Sequence, residues 1–336
     1  MTDVGGVYVG HEDRIGDGWA TGTTVVLAPD GAVGGVDCRG GAPGTRETDL
    51  LAPENLVQQV HGICLSGGSA YGLAAADGVM RWLAERSHGF PVGAQPHEVV
   101  PIVPGAVIFD LPLGEWGNRP DAGFGYRACE AAATGPVTQG CVGAGAGAKV
   151  GALKGGIGTA STRVAAAGTS FTVGALAVVN AHGEAVDYAT GRPWSAEDEL
   201  AGEFAVTWPD RTAEKPTGGG TSLNTTIGVV ATDAALTKAE CQRLAMSAQD
   251  GLARAVRPSH SMFDGDTVFG LATGAAELPQ TEGPFAVPMR AAVLDELCAA
   301  AATAFARAVV HSVLSATAVC ATPAYRDVWP GAIGEA

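Results

Sequence analysis

The chain has 336 residues, enough for one large domain or two small ones around a sizeable core. Apolar residues make up 46%, charged residues 16%, and 49 positions are glycine, which describes a glycine-dense globule and excludes a disordered chain or a coiled coil. The formal net charge of −15 argues against nucleic acid and anionic membranes as partners.

In chain order, the first signal is a pair of β-like runs, Thr23–Leu27 and Ala32–Val36, split by Pro29-Asp30-Gly31, which predicts a hairpin. Next, Cys64-Leu65-Ser66-Gly67-Gly68-Ser69-Ala70-Tyr71-Gly72 is a glycine loop opening a helix to about Arg86. Tyr71, Val79, Trp82 and Leu83 supply that helix's apolar side, and Asp77, Arg81 and Glu85 its polar one. The loop is close to a G-x-S-x-G nucleophile elbow, but the second glycine, Gly72, comes one residue late. A Ser69 nucleophile would need a histidine and an acid that no spacing indicates, whereas Ser69 as a helix cap is ordinary. Val103–Leu111 reads as a strand bent at its start by Pro104-Gly105, and 123–134 as a helix.

The stretch Gly140–Gly158 is the most glycine-rich and fails both nucleotide tests. Lys149 stands between Ala148 and Val150, without the flanking Gly and Ser/Thr of a Walker A loop. The dinucleotide fingerprint needs an acid about 20 residues on, where Gly168 and Thr169 stand instead. Glycines at this density bring backbone close to something, with Lys149 or Lys154 as the charge delivered. Lys154, in Leu153-Lys154-Gly155-Gly156, reads as the solvated tip of a turn. Two strands follow, over 162–169 and 172–180, the second ending in Asn180-Ala181-His182-Gly183, where an asparagine is ordinarily a turn residue. Residues 190–223 are polar, interrupted by Pro193, Pro209 and Pro216, with a short helix signal at Ser195–Asp198; they read as a linker.

That linker runs into Gly218-Gly219-Gly220-Thr221-Ser222-Leu223-Asn224-Thr225-Thr226, and then into the apolar strand Ile227–Ala231. Two readings of the junction stand side by side. In one, the threonines make local hydrogen bonds at a strand entrance. In the other, Thr225 attacks the carbonyl of Asn224 and the resulting ester is hydrolysed. The freed threonine would then own a nucleophilic hydroxyl and, in its α-amine of pKa about 7.7–8.0, a base. The local pattern alone does not choose between them. Beyond the junction, Thr237 and Glu240 form a capping box, with Leu236 and Cys241 as a staple, for a helix to about Val256. Asp264-Gly265-Asp266 leads into a strand over 267–273; its two carboxylates lack nearby partners for a cation site and equally suit orienting an amine and a hydroxyl. A last helix covers about 290–317.

The seven cysteines contain no C-x-x-C pair and most of them read as reduced core residues, and the scattered histidines give no zinc pattern. The N-terminus lacks a basic n-region followed by an apolar run, and the apolar stretch Leu297–Ala321 contains Arg307 and His311. A core helix and a cytoplasmic protein, with no membrane partner, are the expectation.

Four segments in this order together resemble the L-aminopeptidase/D-esterase family of self-processing hydrolases, which includes β-aminopeptidases and nylon-oligomer hydrolases. They are Leu65–Leu73, Ala146-Gly147-Ala148-Lys149-Val150, Asn224-Thr225-Thr226-Ile227 and Phe263-Asp264-Gly265-Asp266-Thr267, and the likeness runs from Gly40-Gly41 to Pro279. The resemblance implies an α+β fold, a four-layer αββα sandwich also found in ornithine acetyltransferase. It implies a single domain over 1–336, cut into 1–224 and 225–336 at Asn224–Thr225. Carried onto this chain, Thr225 is the nucleophile, Lys149 the cation that lowers its hydroxyl pKa, and Asn180 the oxyanion donor. Asp264 and Asp266 would hold the catalytic amine and its lysine partner. Phe109, in Val107-Ile108-Phe109-Asp110, stands where some members carry a tyrosine; with Gly67, Gly68 and Ser69 it is an expected substrate-binding position.

The activity implied is amide hydrolysis on peptides, amino-acid amides or esters, or oligoamides such as 6-aminohexanoate oligomers. No cofactor and no metal are called for, and a homo-oligomer, with a tetramer favoured, is expected. An acyltransferase of the ornithine acetyltransferase kind, or a non-catalytic ligand-binding homologue, are the alternatives.

Overall fold

Trp19–Cys38 is one strand twenty residues long, and its side chains alternate between two different cores. Val26 faces one apolar cluster, while Val25 and Leu27 face another. A strand with both faces buried must lie inside a stack of layers, and the rest of the chain supplies them. The computed structural model describes residues 1–209, 212–217, 223–278 and 286–333.

We label the main elements in chain order. They are β1 (Tyr8–Gly16), β2 (Trp19–Cys38), β3 (Gln59–Ser66), α1 (Ala75–Ala84), β4 (Gly105–Val107), α2 (Ala122–Glu130), β5 (Lys149–Val150) and β6 (Leu153–Lys154). There follow β7 (Gly156–Ala166), β8 (Thr169–Val179), β9 (Ile227–Ala234), α3 (Lys238–Ala255), β10 (Thr267–Ala276) and α4 (Ala286–Ser315). The strands run in the order β7-β8-β9-β10-β2-β3-β4, with β1 on the free side of the first half of β2. β2 thus passes from one layer to the other, pairing with β1 and β3 over its first half and with β10 over its second.

Three apolar clusters separate four layers. Val230, Val268 and Phe305 belong to the core between β7–β10 and the helices α3 and α4. Ile63, Leu176, Ile227 and Phe269 fill the space between the two halves of the sheet. Val79, Leu83 and Ala128 pack α1 and α2 onto the outer face of β2 and β3. Each of these buried valine, leucine, isoleucine and phenylalanine side chains contributes roughly 1.5–3 kcal/mol relative to exposure. The architecture is the α+β, αββα sandwich implied by the four sequence segments. α3 starts on the expected capping box, Thr237 accepting from Glu240 N–H and Glu240 from Thr237 N–H. Within α4, the segment Val287–Ser315 is long and apolar enough to cross a membrane, yet most of it is buried against β7, β8 and α3.

The predicted hairpin at Pro29-Asp30-Gly31 is not formed. Thr23–Leu27 pair with Ser66–Gly62, and Ala32 and Val33 continue in the same direction along Val60 and Gln59. The intervening residues bulge out of a continuing strand, because β3 and β10 offer both halves longer partners than they offer each other. The linker reading of 190–223 also needs correction. Glu203 pairs with the buried Arg307 of α4 through two hydrogen bonds, and Thr207 N–H donates to Ala332 O at 2.9 Å. The glycine-rich lead-in Gly218–Ser222 lies outside the described residues.

Candidate active site

Strand register brings distant segments together. β9 and β10 are parallel with Ile227 opposite Thr267, so Asn224-Thr225-Thr226 and Asp264-Gly265-Asp266 lie side by side at the same end. A bridge between Asn224 and Asp264 extends that pairing backwards. β8 runs antiparallel to β9 with Val178 opposite Ile227, which places Asn180 beside Thr225. Val150 of β5 bridges Ala181 and so brings Lys149 to the same corner.

At this corner the Thr225 hydroxyl, nearly buried, donates to the carbonyl oxygen of Asn224, the residue whose peptide bond it would attack. The N–H of Gly265 lies 3.2 Å from that oxygen and 3.2 Å from Thr225 Oγ1. One backbone donor therefore faces both the nucleophile and the oxygen on which charge would develop. Thr225 N–H donates to the main-chain oxygen of Asn180 at 2.5 Å, so the nitrogen that cleavage would free is already aimed.

Both carboxylates brace backbone. Asp266 accepts from Thr226 N–H at 2.7 Å, His260 N–H at 3.1 Å and His260 Nδ1 at 2.8 Å. Asp264 accepts from Ser261 N–H at 2.9 Å and His182 N–H at 3.2 Å. Among the described residues neither accepts from Lys149, and no group of three or more potential ligands is placed to hold a metal ion. Burial lowers the pKa of the Lys149 ammonium.

The Asn180 side chain is held at both ends: Oδ1 accepts from Lys149 N–H at 2.9 Å, and Nδ2 donates to Phe109 O at 3.3 Å. Only one of its two Nδ2 hydrogens is used among the described residues. Phe109 thus meets the site through its carbonyl. The loop Gly67-Gly68-Ser69 lies one step further out, with Gly68 N–H on Asp110 Oδ1 and Ser69 N–H on Ile108 O.

Ser69 does not cap a helix. It has a left-handed backbone (φ 53°) and begins a 3₁₀ turn, Ser69–Ala74, without a side-chain capping bond. Its hydroxyl bonds to no histidine or acid among the described residues. Tyr71 is exposed under the Arg119 guanidinium rather than on the helix's apolar side. Lys154 is no solvated tip. It is fully buried in β6, and its Nζ donates to Gly145 O and Gly155 O, both at 2.9 Å.

Sequence reasoning missed four contributors: the Gly265 N–H, His260, Asp110 and the buried state of Lys154. His260, six residues before Asp266, carried a faint signal as an ionisable neighbour of two acids. The Gly265 donor is main chain and carried none.

The profile of peptidase family S58 matches residues 1–324. An uncharacterized aminopeptidase of Mycobacterium tuberculosis is 55% identical over 349 residues, covering 99% of each chain. The 6-aminohexanoate-oligomer endohydrolase of Paenarthrobacter ureafaciens is 31% identical over 272 residues, 78% of this chain and 72% of that one. Among solved structures, a Burkholderia sp. beta-aminopeptidase superposes with a TM-score of 0.67 at 28% identity, covering 94% of this chain and 86% of the other.

Proposed function

The chain belongs to peptidase family S58 and is a hydrolase of peptide or amide bonds; we propose that Thr225 is the nucleophile, released by self-cleavage after Asn224. In the first step the Thr225 hydroxyl adds to the Asn224 carbonyl carbon. The Asn224–Thr225 C–N bond breaks, the hydroxyl proton ends on the departing nitrogen, and an ester forms at Thr225 Oγ1. Water hydrolyses that ester, leaving a carboxylate on Asn224 and a free α-amine on Thr225. Gly265 N–H would stabilise the oxyanion of this step.

In turnover the α-amine takes the proton from Oγ1 as it attacks the substrate carbonyl, then gives it to the leaving amine; water releases the acyl group. An amine of pKa near about 7.7–8.0 suits this at neutral pH. The Asn180 main-chain oxygen orients the amine, and the free Nδ2 hydrogen of Asn180 meets the substrate oxyanion, a donor worth roughly 3 kcal/mol. Lys149 supplies positive potential at the hydroxyl. The substrates are small N-terminal residues of peptides, amino-acid amides or short oligoamides, as the names of the two relatives suggest.

The geometry at Asn224–Thr225 carries this reading: a buried hydroxyl on the preceding carbonyl, with one N–H facing both oxygens. On incubation the chain is expected to give two fragments, the smaller beginning Thr225-Thr226-Ile227 on N-terminal sequencing. Thr225→Ala should stay intact and inactive. A different start, or cleavage of the alanine variant, overturns the assignment.

A further inference from the structure

We propose that Lys154 and Asp110 are positioning residues that together fix the Asn180 carboxamide, one through each of the two peptides that hold it. The proposal rests on the oxyanion role of Asn180 given above.

Lys154 works from the Lys149 side. Its Nζ ties Gly145 O to Gly155 O, and Gly155 N–H in turn donates to Ala148 O at 3.0 Å. The Ala148–Lys149 peptide is planar, so fixing its oxygen also fixes the direction of its N–H. That N–H is the one on Asn180 Oδ1. Asp110 works from the other side. Its carboxylate, buried like Lys154, accepts from Thr21 Oγ1 and from Gly68 N–H, each at 2.6 Å. The peptide joining it to Phe109 carries the carbonyl that holds Asn180 Nδ2.

The two arms also press on each other. A Cβ added at Gly147, in the loop that Lys154 ties, would fall 2.7 Å from Asp110 Cβ and 2.8 Å from its Oδ2. Their charges are opposite, and each tempers the effect of burial on the other. Burial raises the Asp110 carboxyl to about 6 against the pull of Thr21, Gly68 and Lys154. Burial lowers Lys154 to about 8 against Cys141, Asp110 and Cys320. Near neutrality both are charged. A buried lysine and aspartate whose hydrogen bonds go mainly to loop backbone hold geometry rather than substrate, and a carboxamide clamped from both sides keeps its free hydrogen pointed one way.

The test is a double-mutant cycle on the full chain with Asn180→Ala, Lys154→Met and both together. It reads amide hydrolysis in processed protein and the rate of fragment appearance. Lys154→Met is expected to lower kcat by about 10²-fold with KM changed less than about twofold. Its melting temperature is expected to fall, since Gly145 O and Gly155 O lose their donor and Asp110 its opposite charge, so kcat and KM are read well below the transition. In the Asn180→Ala background the same substitution should cost nothing more. Asp110→Asn, which keeps the shape, should repeat the pattern and carries the test if Lys154→Met fails to fold. Losses that multiply, or a kcat near wild type in both brace variants while Asn180→Ala is crippled, overturn the brace. Full activity of Asn180→Ala would instead overturn the oxyanion role itself.

Discussion

Gly265 meets Thr225 through its N–H, and its missing side chain is what lets that N–H come so close. A Cβ there would lie 2.6 Å from Ala42 O, 2.8 Å from Thr225 Oγ1 and 3.1 Å from Pro43 Cα. Gly265→Ala must therefore push the loop or the nucleophile aside, and self-cleavage should slow by about 10²-fold or more. The half-time of fragment appearance on a denaturing gel measures it; a rate near wild type would remove Gly265 from the mechanism. The same residue shows what was legible at this scale. Thr225 is legible as a candidate because its hydroxyl is a side-chain group at a loop-to-strand junction. Gly265 is not, since a main-chain donor has no letter of its own. Lys154 differs from its turn signal, Gly155-Gly156, because its ammonium is buried on the Gly145 and Gly155 carbonyls while its main-chain N–H is tied to Pro323 O, far along the chain.

Among elements, periodicity served the helices and the central strands well. Alternation alone does not say which strands pair, so β2 looked like a hairpin and the side-by-side placement of the Asn224 and Asp264 segments was invisible. Residues 190–223 read as a linker because their anchors lie on another element. Glu203 is the chief one: Arg307 and His311 of α4 hold it, with Leu200 N–H adding a donor. Burial pushes its carboxyl up, but these partners outweigh it and leave the pKa at about 2. A lowered carboxylate pKa means stability that is full above the unfolded value of 4.5 and is lost as pH falls through about 2. Glu203→Gln should cost about 3 kcal/mol at neutral pH, because it leaves the buried Arg307 charge uncompensated. It should also flatten the acid limb of a stability-versus-pH curve below about 4.5; an unchanged limb in urea titrations would show that the pair does not anchor this segment.

At the scale of the molecule, the proposed cut at Asn224–Thr225 would sever the chain without opening a seam. Fragment 225–336 supplies β9, β10, α3 and α4, while β8 and β2, on either side of β9 and β10, belong to fragment 1–224. Its two strands are thus enclosed by the other fragment's strands, and their apolar faces contribute to two of the three cores. Polar ties cross the same boundary: Lys238 Nζ donates to Leu50 O, Asn55 O and Val57 O, and Lys154 N–H to Pro323 O at 2.8 Å. Separation would expose both cores and break the ladders on both edges at once, which amounts to global unfolding. The processed fragments should therefore co-elute on native size exclusion and melt in a single transition, parting only in denaturant. Residues 225–336 expressed alone would present unpaired edges on β9 and β10 and an uncovered apolar sheet face, and should aggregate. A smaller fragment that elutes by itself from processed protein under native conditions, still soluble and folded, would show that the two pieces do not form one interlocked core.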